Sequence, residues 1–199
     1  MLDRTIPFYN TILRCDQYPY HPVVLPEGFS IVSYQPGYEK AWAKLEHAIA
    51  DFGSAKEAET YFVTTYLHDD ALLRNILFLV NAKQEVIGTC IAWQDARKDS
   101  LVSSLHWLVV DEAYHGLGLG KALCHAVMNI YAAQNAFPVY IHTQPWSWKA
   151  IFLYLSLGFK LQKTDSFSHY ENQYPQAMET LRKVVTEDQY LLLQNRSEE

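Results

Sequence analysis

The chain has 199 residues, 49% hydrophobic and 14% aromatic, enough apolar surface to close a sizeable core in one domain or in one domain plus an arm. A formal net charge of -6 argues against a nucleic-acid partner, because binding a phosphate backbone needs a basic face that releases counterions. That charge suits a cationic partner slightly better. No stretch approaches the ~18 consecutive apolar residues of a membrane-spanning helix, so no membrane is expected.

The amino terminus, MLDRTIPFYNTILR, carries Asp3 and Arg4 early and lacks the apolar segment of a secretion signal. Cys15, Cys90 and Cys124 are scattered, with no CxxC and no Cys/His cluster of metal-ligand spacing, so no metal is expected. Thiols used in this way fit a reducing compartment, and a cytoplasmic location is the expectation.

Residues 1–28 hold Pro7, Pro19, Pro22 and Pro26 among tyrosines, which disfavours a long helix and suggests an amino-terminal arm on the domain surface. FSIVSYQ (29–35) alternates as a strand and Pro36-Gly37 stops it. Trp42, Leu45, Ile49 and Phe52 then recur at helical spacing, and Ser54-Ala-Lys-Glu57 reads as a capping box opening a second helix to about Leu67. NILFLVNA and EVIGTCIAWQ, joined by the polar turn at Ala82-Lys-Gln-Glu85, have the pattern of an antiparallel hairpin.

SLHWLVVD (104–111) is a further strand, followed by the glycine run HGLGLGKAL. From Leu119 the apolar spacing of three and four predicts a helix to about Gln134. PVYIHT is a short strand, Ser147 is placed to cap the helix WKAIFLYLSL, and Gly158 ends it. FKLQKT and roughly QAMETLRKVV read as the last two strands, before a polar tail over 187–199. The predicted order is β, α, α, β, β, β, α, β, α, β, β, in a regular domain spanning 29–186.

The glycine run sits where a strand gives way to a helix, a place where backbone N–H groups and the helix dipole favour an anion. A P-loop requires GxxxxGK followed by Ser or Thr; here His115 stands at the first glycine and Ala122 at the hydroxyl, so Walker A is excluded. A dinucleotide fingerprint requires GxGxxG, and Lys121 occupies its last glycine. The plainer alternative is a loop whose glycines serve only its turn.

The segment VVDEAYHGLGLGKAL resembles the acetyl-coenzyme A loop of the GNAT superfamily of N-acetyltransferases. Its signature is Arg or Gln, two residues, Gly, one residue, then Gly or Ala. The element order and AIFLYLSLGF (150–159) are also similar to that family, and the likeness covers roughly residues 29–185. It implies an α/β fold with a mixed, mostly antiparallel central sheet, helices on both faces, and splayed fourth and fifth strands, here 104–111 and 139–143.

The likeness further implies an acetyl-CoA-dependent N-acetyltransferase that moves the acetyl group directly to a primary amine within a ternary complex. The backbone of Gly116, Leu117, Gly118, Leu119, Gly120 and Lys121 would hold the pyrophosphate of coenzyme A, and Leu108, Val109 and Val110 would pair with its pantetheine arm. Within that strand the Val109 N–H would lie nearest the thioester oxygen. His115 replaces the family's Arg or Gln, so its side-chain contribution differs. Ser147 takes the place of an Asn common at that helix start.

Acyl transfer to an amine asks for a base, an oxyanion site and a proton for the departing thiolate. Many family members place a Glu on the fourth strand, but residues 103–110 contain no carboxylate. His106 stands there instead, and SLHWLVV resembles the HLHALAV strand of arylalkylamine N-acetyltransferases, in which histidines do this work. An imidazole with a pKa of about 6.5 suits a base at neutral pH. His142 is the second candidate. Tyr154 falls where the family's tyrosine protonates or hydrogen-bonds the leaving sulfur.

The small-molecule or peptide amine acceptor is expected near Asp51, Phe52, Trp93, Trp146 and Tyr170, with Glu171 a further carboxylate that could draw a cation. The arm would either cover that pocket or meet a second copy in a homodimer. The alternative reading from a different class is an acyl-CoA binding or sensing module that keeps the loop without efficient chemistry, motivated by His115 and the missing carboxylate.

Overall fold

A computed structural model describes residues 3–199. Its strands are β1 (Thr11–Cys15), β2 (Ser30–Ser33), β3 (Ile76–Val80), β4 (Val86–Arg97), β5 (Ser100–Val110), β6 (Val139–Thr143), β7 (Lys160–Gln162) and β8 (Ser197–Glu198). Its helices are α1 (Tyr38–Ala48), α2 (Ala55–Tyr66), α3 (Asp70–Leu73), α4 (Leu119–Gln134), α5 (Trp148–Ser156), α6 (Tyr174–Arg182) and α7 (Glu187–Asn195). The strand order is β2-β3-β4-β5-β6-β1-β7-β8, an open and mostly antiparallel sheet, as the family likeness implies. The chain forms two compact units, Tyr20–Trp93 with Leu105–Ala133, and residues 3–19 with Gln94–Ser104 and Gln134–Glu199.

In the first unit β2 and β3 pair antiparallel from Ser30↔Val80 to Ser33↔Leu77, and β3 pairs with β4 from Ile76↔Ile91 to Val80↔Val86 through an irregularity at Leu79/Val80. Alternation sends Ile76, Phe78 and Ile91 to one face, where Trp42, Ala43, Ala58, Phe62 and Tyr66 of α1 and α2 cover them. The opposite face carries α4, whose Leu123 lies beside Gly88. Helices therefore cover both faces of this part of the sheet. The Ser54 hydroxyl accepts from the Glu57 N–H at 3.1 Å, but the Glu57 carboxylate returns to the Gly53 N–H rather than to Ser54. The predicted capping box is thus half formed.

In the second unit β1 pairs antiparallel with β6, Thr11↔Thr143 through Cys15↔Val139, and with β7 at Leu13↔Leu161 and Arg14↔Lys160. The start of β5 runs parallel to β6, with Ser103↔Val139 and Ser104↔Tyr140. Residues 11–15, read from sequence as part of a surface arm, are thus a strand paired on both sides, with Ile12 and Leu13 fully buried. Prolines forbid a helix interior and the centre of a sheet ladder, but the TILRC segment between Pro7 and Pro19 contains none.

The segment read as the last strand is helix α6 instead, with Ala177, Met178 and Leu181 on its buried side and Pro175 in its first turn. The tail is helix α7, opened by a capping box between Thr186 and Gln189. Tyr140, Arg14 and Arg97 converge on Asp165, the phenol donating at 2.7 Å. Burial opposes ionisation of Asp165, but the bonds from Tyr140 and Arg97 hold its carboxyl below the ordinary range.

Candidate active site

Strand β5 leaves the sheet at Val110, its last ladder bond being Asp111 N–H to the Ile87 carbonyl at 2.7 Å. The Asp111 carboxylate then accepts from the Ala113 N–H at 2.9 Å and fixes one short turn, Glu112–Tyr114. His115 ends that turn. Its ring Nε2 donates to the Val110 carbonyl at 2.8 Å, so the side chain ties the loop back to the strand.

Gly116 and Gly118 follow with φ of 83° and 75°, left-handed values that glycine adopts without the penalty of a Cβ. A Cβ built on either would meet nothing within 4 Å, so the outer side of the loop is open space. The Ala122 N–H closes the first turn of α4 onto the Gly118 carbonyl at 3.0 Å. By helix geometry the N–H groups from Gly118 to Lys121 then have no acceptor within the helix. Gly118, which precedes the helix, has no side chain to cap them. Gly116, Leu117, Gly118 and Lys121 are exposed, while Leu119 is buried and anchors the turn. An anion is the natural complement of such an end.

Behind the loop, Leu108 and Val110 are half-buried and Val109 is buried. A Cβ on Gly88 would lie 2.9 Å from the Val109 carbonyl oxygen, so only glycine at 88 lets β4 come so close to that stretch of β5. Two residues earlier in the strand, Trp107 has φ 50°, a left-handed value that is a true outlier for so bulky a side chain. Successive side chains of a regular strand point to opposite faces. Here the His106 and Trp107 rings lie 5.4 Å apart, inclined by 31°. The His106 ring is also 6.2 Å from Trp93.

The candidates for the acceptor site fall into two groups. Phe52 and Trp93 join the aromatic cluster of the first unit, with Phe52 5.5 Å from Trp107 and 5.7 Å from Trp42. Asp51 is exposed. Tyr170 and Trp146 belong to the second unit, where Tyr170 stacks on His142 at 3.7 Å and Trp146 packs 5.2 Å from Phe8. The His142 ring is engaged by Asn10 Oδ1 at 2.9 Å, which commits it to a structural partner. Glu171 is exposed.

Tyr154 is buried in α5, with its ring 6.2 Å from Phe159. Ser147 does not cap α5 with its side chain. It closes the short turn Pro145–Ser147, and its hydroxyl accepts from Gln144 Nε2 at 2.9 Å. The three cysteines are free and buried, and burial pushes the Cys15 thiol up to about 11, far from a reactive thiolate.

Two features escaped the reading by motif. One is the outlier at Trp107, which leaves no trace in composition or spacing. The other is Glu46, fully buried on α1 with neither carboxylate oxygen hydrogen-bonded. Its position four residues after Trp42, on the apolar stripe of the helix, was the available signal.

Residues 39–159, more than half of the chain, match the model of the acetyltransferase (GNAT) family, and the chain belongs to that family and to its N-acetyltransferase class of enzymes. It is 29% identical over 132 residues to an uncharacterized N-acetyltransferase of Mycobacterium bovis, covering 65% of this chain and 80% of that one. Among solved structures it resembles a GCN5-related N-acetyltransferase from Sphaerobacter thermophilus with a TM-score of 0.57 and 20% identity, over 76% of this chain and 48% of that longer chain. An aminoglycoside N-acetyltransferase in complex with CoA gives a TM-score of 0.55 and 18% identity, over 75% of this chain and 99% of that one. These two likenesses are of fold. No described helix is long and apolar enough to cross a membrane.

Proposed function

We propose that the protein transfers an acetyl group from acetyl-CoA to a primary amine, both substrates being bound together. One observation carries this reading: two left-handed glycines with open space around them lead into the uncapped start of α4. The unsatisfied amides and the helix dipole suit a pyrophosphate, and Lys121 adds a cation in the first helical turn. The family supplies the nature of the anion, and a CoA-bound structural neighbour supports it. His115 acts through its bond to the Val110 carbonyl, which positions the loop, rather than through the phosphate.

In this reading the backbone of Leu108, Val109 and Val110 lies along the pantetheine arm. His106, aligned with a family histidine and turned beside Trp107, takes a proton from the acceptor nitrogen. The amine lone pair attacks the thioester carbonyl, the oxygen takes up negative charge, and the C–S bond breaks as the carbonyl re-forms and the nitrogen sheds its second proton to solvent. Tyr154 gives the departing thiolate its proton. For Ser147 the contact with the co-substrate is the one that the family likeness implies.

The test is release of free thiol from acetyl-CoA over a panel of primary amines. Amine-dependent thiol release supports the reading. Coenzyme A binding without release on any amine favours the sensing module instead, and no binding of either kind overturns both.

A further inference from the structure

Among the described residues Glu46 is a buried carboxyl group that the fold leaves without a hydrogen-bond partner. Its side chain is fully buried in α1, neither oxygen has a hydrogen-bond partner, and the Nε1 of Trp42, one turn earlier on the same helix, also lacks one. Buried polar groups are almost always satisfied, so an orphaned carboxylate calls for a missing partner. Among the described residues no Lys, Arg or His forms an ion pair with it. Burial first, and then the charge of Asp51, pushes its carboxyl well above the ordinary value.

The surroundings are aromatic. Trp42 lies 5.6 Å from Trp107 and 6.3 Å from Tyr66, and Tyr66 lies 5.6 Å from Trp93. Glu46 follows Trp42 by four residues on α1, so the two side chains leave the helix on the same side. Ring faces carry negative quadrupole potential and attract cations. His106 completes the group through Trp93.

Without a cation beside it this carboxyl keeps its proton, and a positive charge is what would let it ionise where it is buried. A water would supply hydrogen bonds but no charge, and one carboxylate is too small a ligand set for a metal ion. We propose that Glu46 holds the ammonium head of the amine acceptor, with Trp42, Tyr66 and Trp107 around the ion pair. The substrate class is then a compact cationic amine on an apolar body, rather than an amine carrying a nearby anion. This deepens the acetyltransferase reading and rests on it for the identity of the cation.

Glu46 is closed off, whereas Trp93 and Trp107 are half-buried. Trp107 is the wall whose backbone is held in a sparsely populated region, and strain of that kind gathers at ligand clamps. In this proposal Trp107 is the side chain that moves to admit the amine. His106, the adjoining residue, then stands beside the nitrogen it must deprotonate.

The probe is n-pentylamine against its uncharged counterpart 1-pentanol, each titrated into the full chain saturated with coenzyme A and read by tryptophan fluorescence. Wild type binds the amine at least tenfold more tightly than the alcohol, and Glu46→Gln brings the ratio close to one while coenzyme A still binds. Glu46→Leu also loses the preference and melts at or above the wild-type temperature, because it removes a buried group without a partner. Equal affinity of wild type for amine and alcohol, or a preference retained in Glu46→Gln, overturns the inference. A Glu46→Leu protein that melts below wild type assigns the carboxylate to structure and overturns it too. Failure of wild type to bind coenzyme A at all counts instead against the acetyltransferase reading.

Discussion

Substituting Gly88 by alanine probes how β5 is held behind the glycine loop. The new Cβ would lie 2.9 Å from the Val109 carbonyl oxygen, 3.2 Å from Val110 Cγ2 and 3.4 Å from Leu123 Cδ1. The first of these atoms is backbone and cannot rotate away, so β4 and β5 must separate. Overpacking of this kind costs about 1–3 kcal/mol, and the lower unfolded-state entropy of alanine returns about 0.4–1 kcal/mol. The net loss is about 1–2 kcal/mol. At ~2–4 °C per kcal/mol for a domain of this size, the melting temperature falls by about 2–8 °C. Because the displaced residue is Val109, acetyl-CoA affinity falls with it. Thermal unfolding by circular dichroism and calorimetric titration with acetyl-CoA measure the two effects. A Gly88→Ala protein with wild-type melting and wild-type affinity would refute the argument that this close approach sets the position of β5.

Three further outcomes are expected. Tyr154→Phe lowers turnover by roughly 10²-fold, the range for a lost general acid, while acetyl-CoA affinity is kept; an unchanged rate in the thiol-release assay contradicts its role. For His106→Ala, kcat/KM falls and loses its rise with pH through the imidazole range, about 6.5; a wild-type pH profile excludes it as the base. Glu46 titrates above its ordinary 4.5, chiefly through burial, so the folded protein holds this proton more tightly than the unfolded chain. Its contribution to stability is complete below about 4.5 and is lost as pH rises toward the folded value. Gln carries no such proton, so the melting temperature of Glu46→Gln relative to wild type climbs as pH is raised from 4 to 7; parallel curves would contradict the shift.

Much of the fold was legible because its elements announce themselves by period. Leu119, Leu123 and Val127 recur at helical spacing, and all three are buried in α4. ILFLV reads as an apolar strand and is buried throughout. The sequence reading failed where one signal outweighed another. Prolines on either side of residues 11–15 suggested an irregular arm, although these five residues contain none and pair on both edges. Val184 and Val185 coloured the last segment as a strand, whereas the spacing of Ala177, Met178 and Leu181 made it helical.

The loop was legible for a different reason: glycine is the residue that a left-handed turn demands, so Gly116 and Gly118 reported a backbone conformation directly. The placing of His106 beside Trp107 was not legible, because it depends on one backbone dihedral in the middle of a strand. Nor did the charge of Glu46 reveal its burial. Carboxylates on helices are usually solvated, and only the packing of α1 against aromatic rings shows that this one is not.

The central claim is that the loop from Gly116 to Lys121 holds coenzyme A. Calorimetric titration of the wild-type chain and of Gly118→Glu with acetyl-CoA, and of wild type with NAD, tests it most directly. The account predicts saturable 1:1 binding of acetyl-CoA to wild type, none of NAD, and none of acetyl-CoA to a folded Gly118→Glu protein, whose new carboxylate occupies the phosphate position. Wild type that binds NAD but not acetyl-CoA, or a Gly118→Glu protein with undiminished affinity, would contradict it.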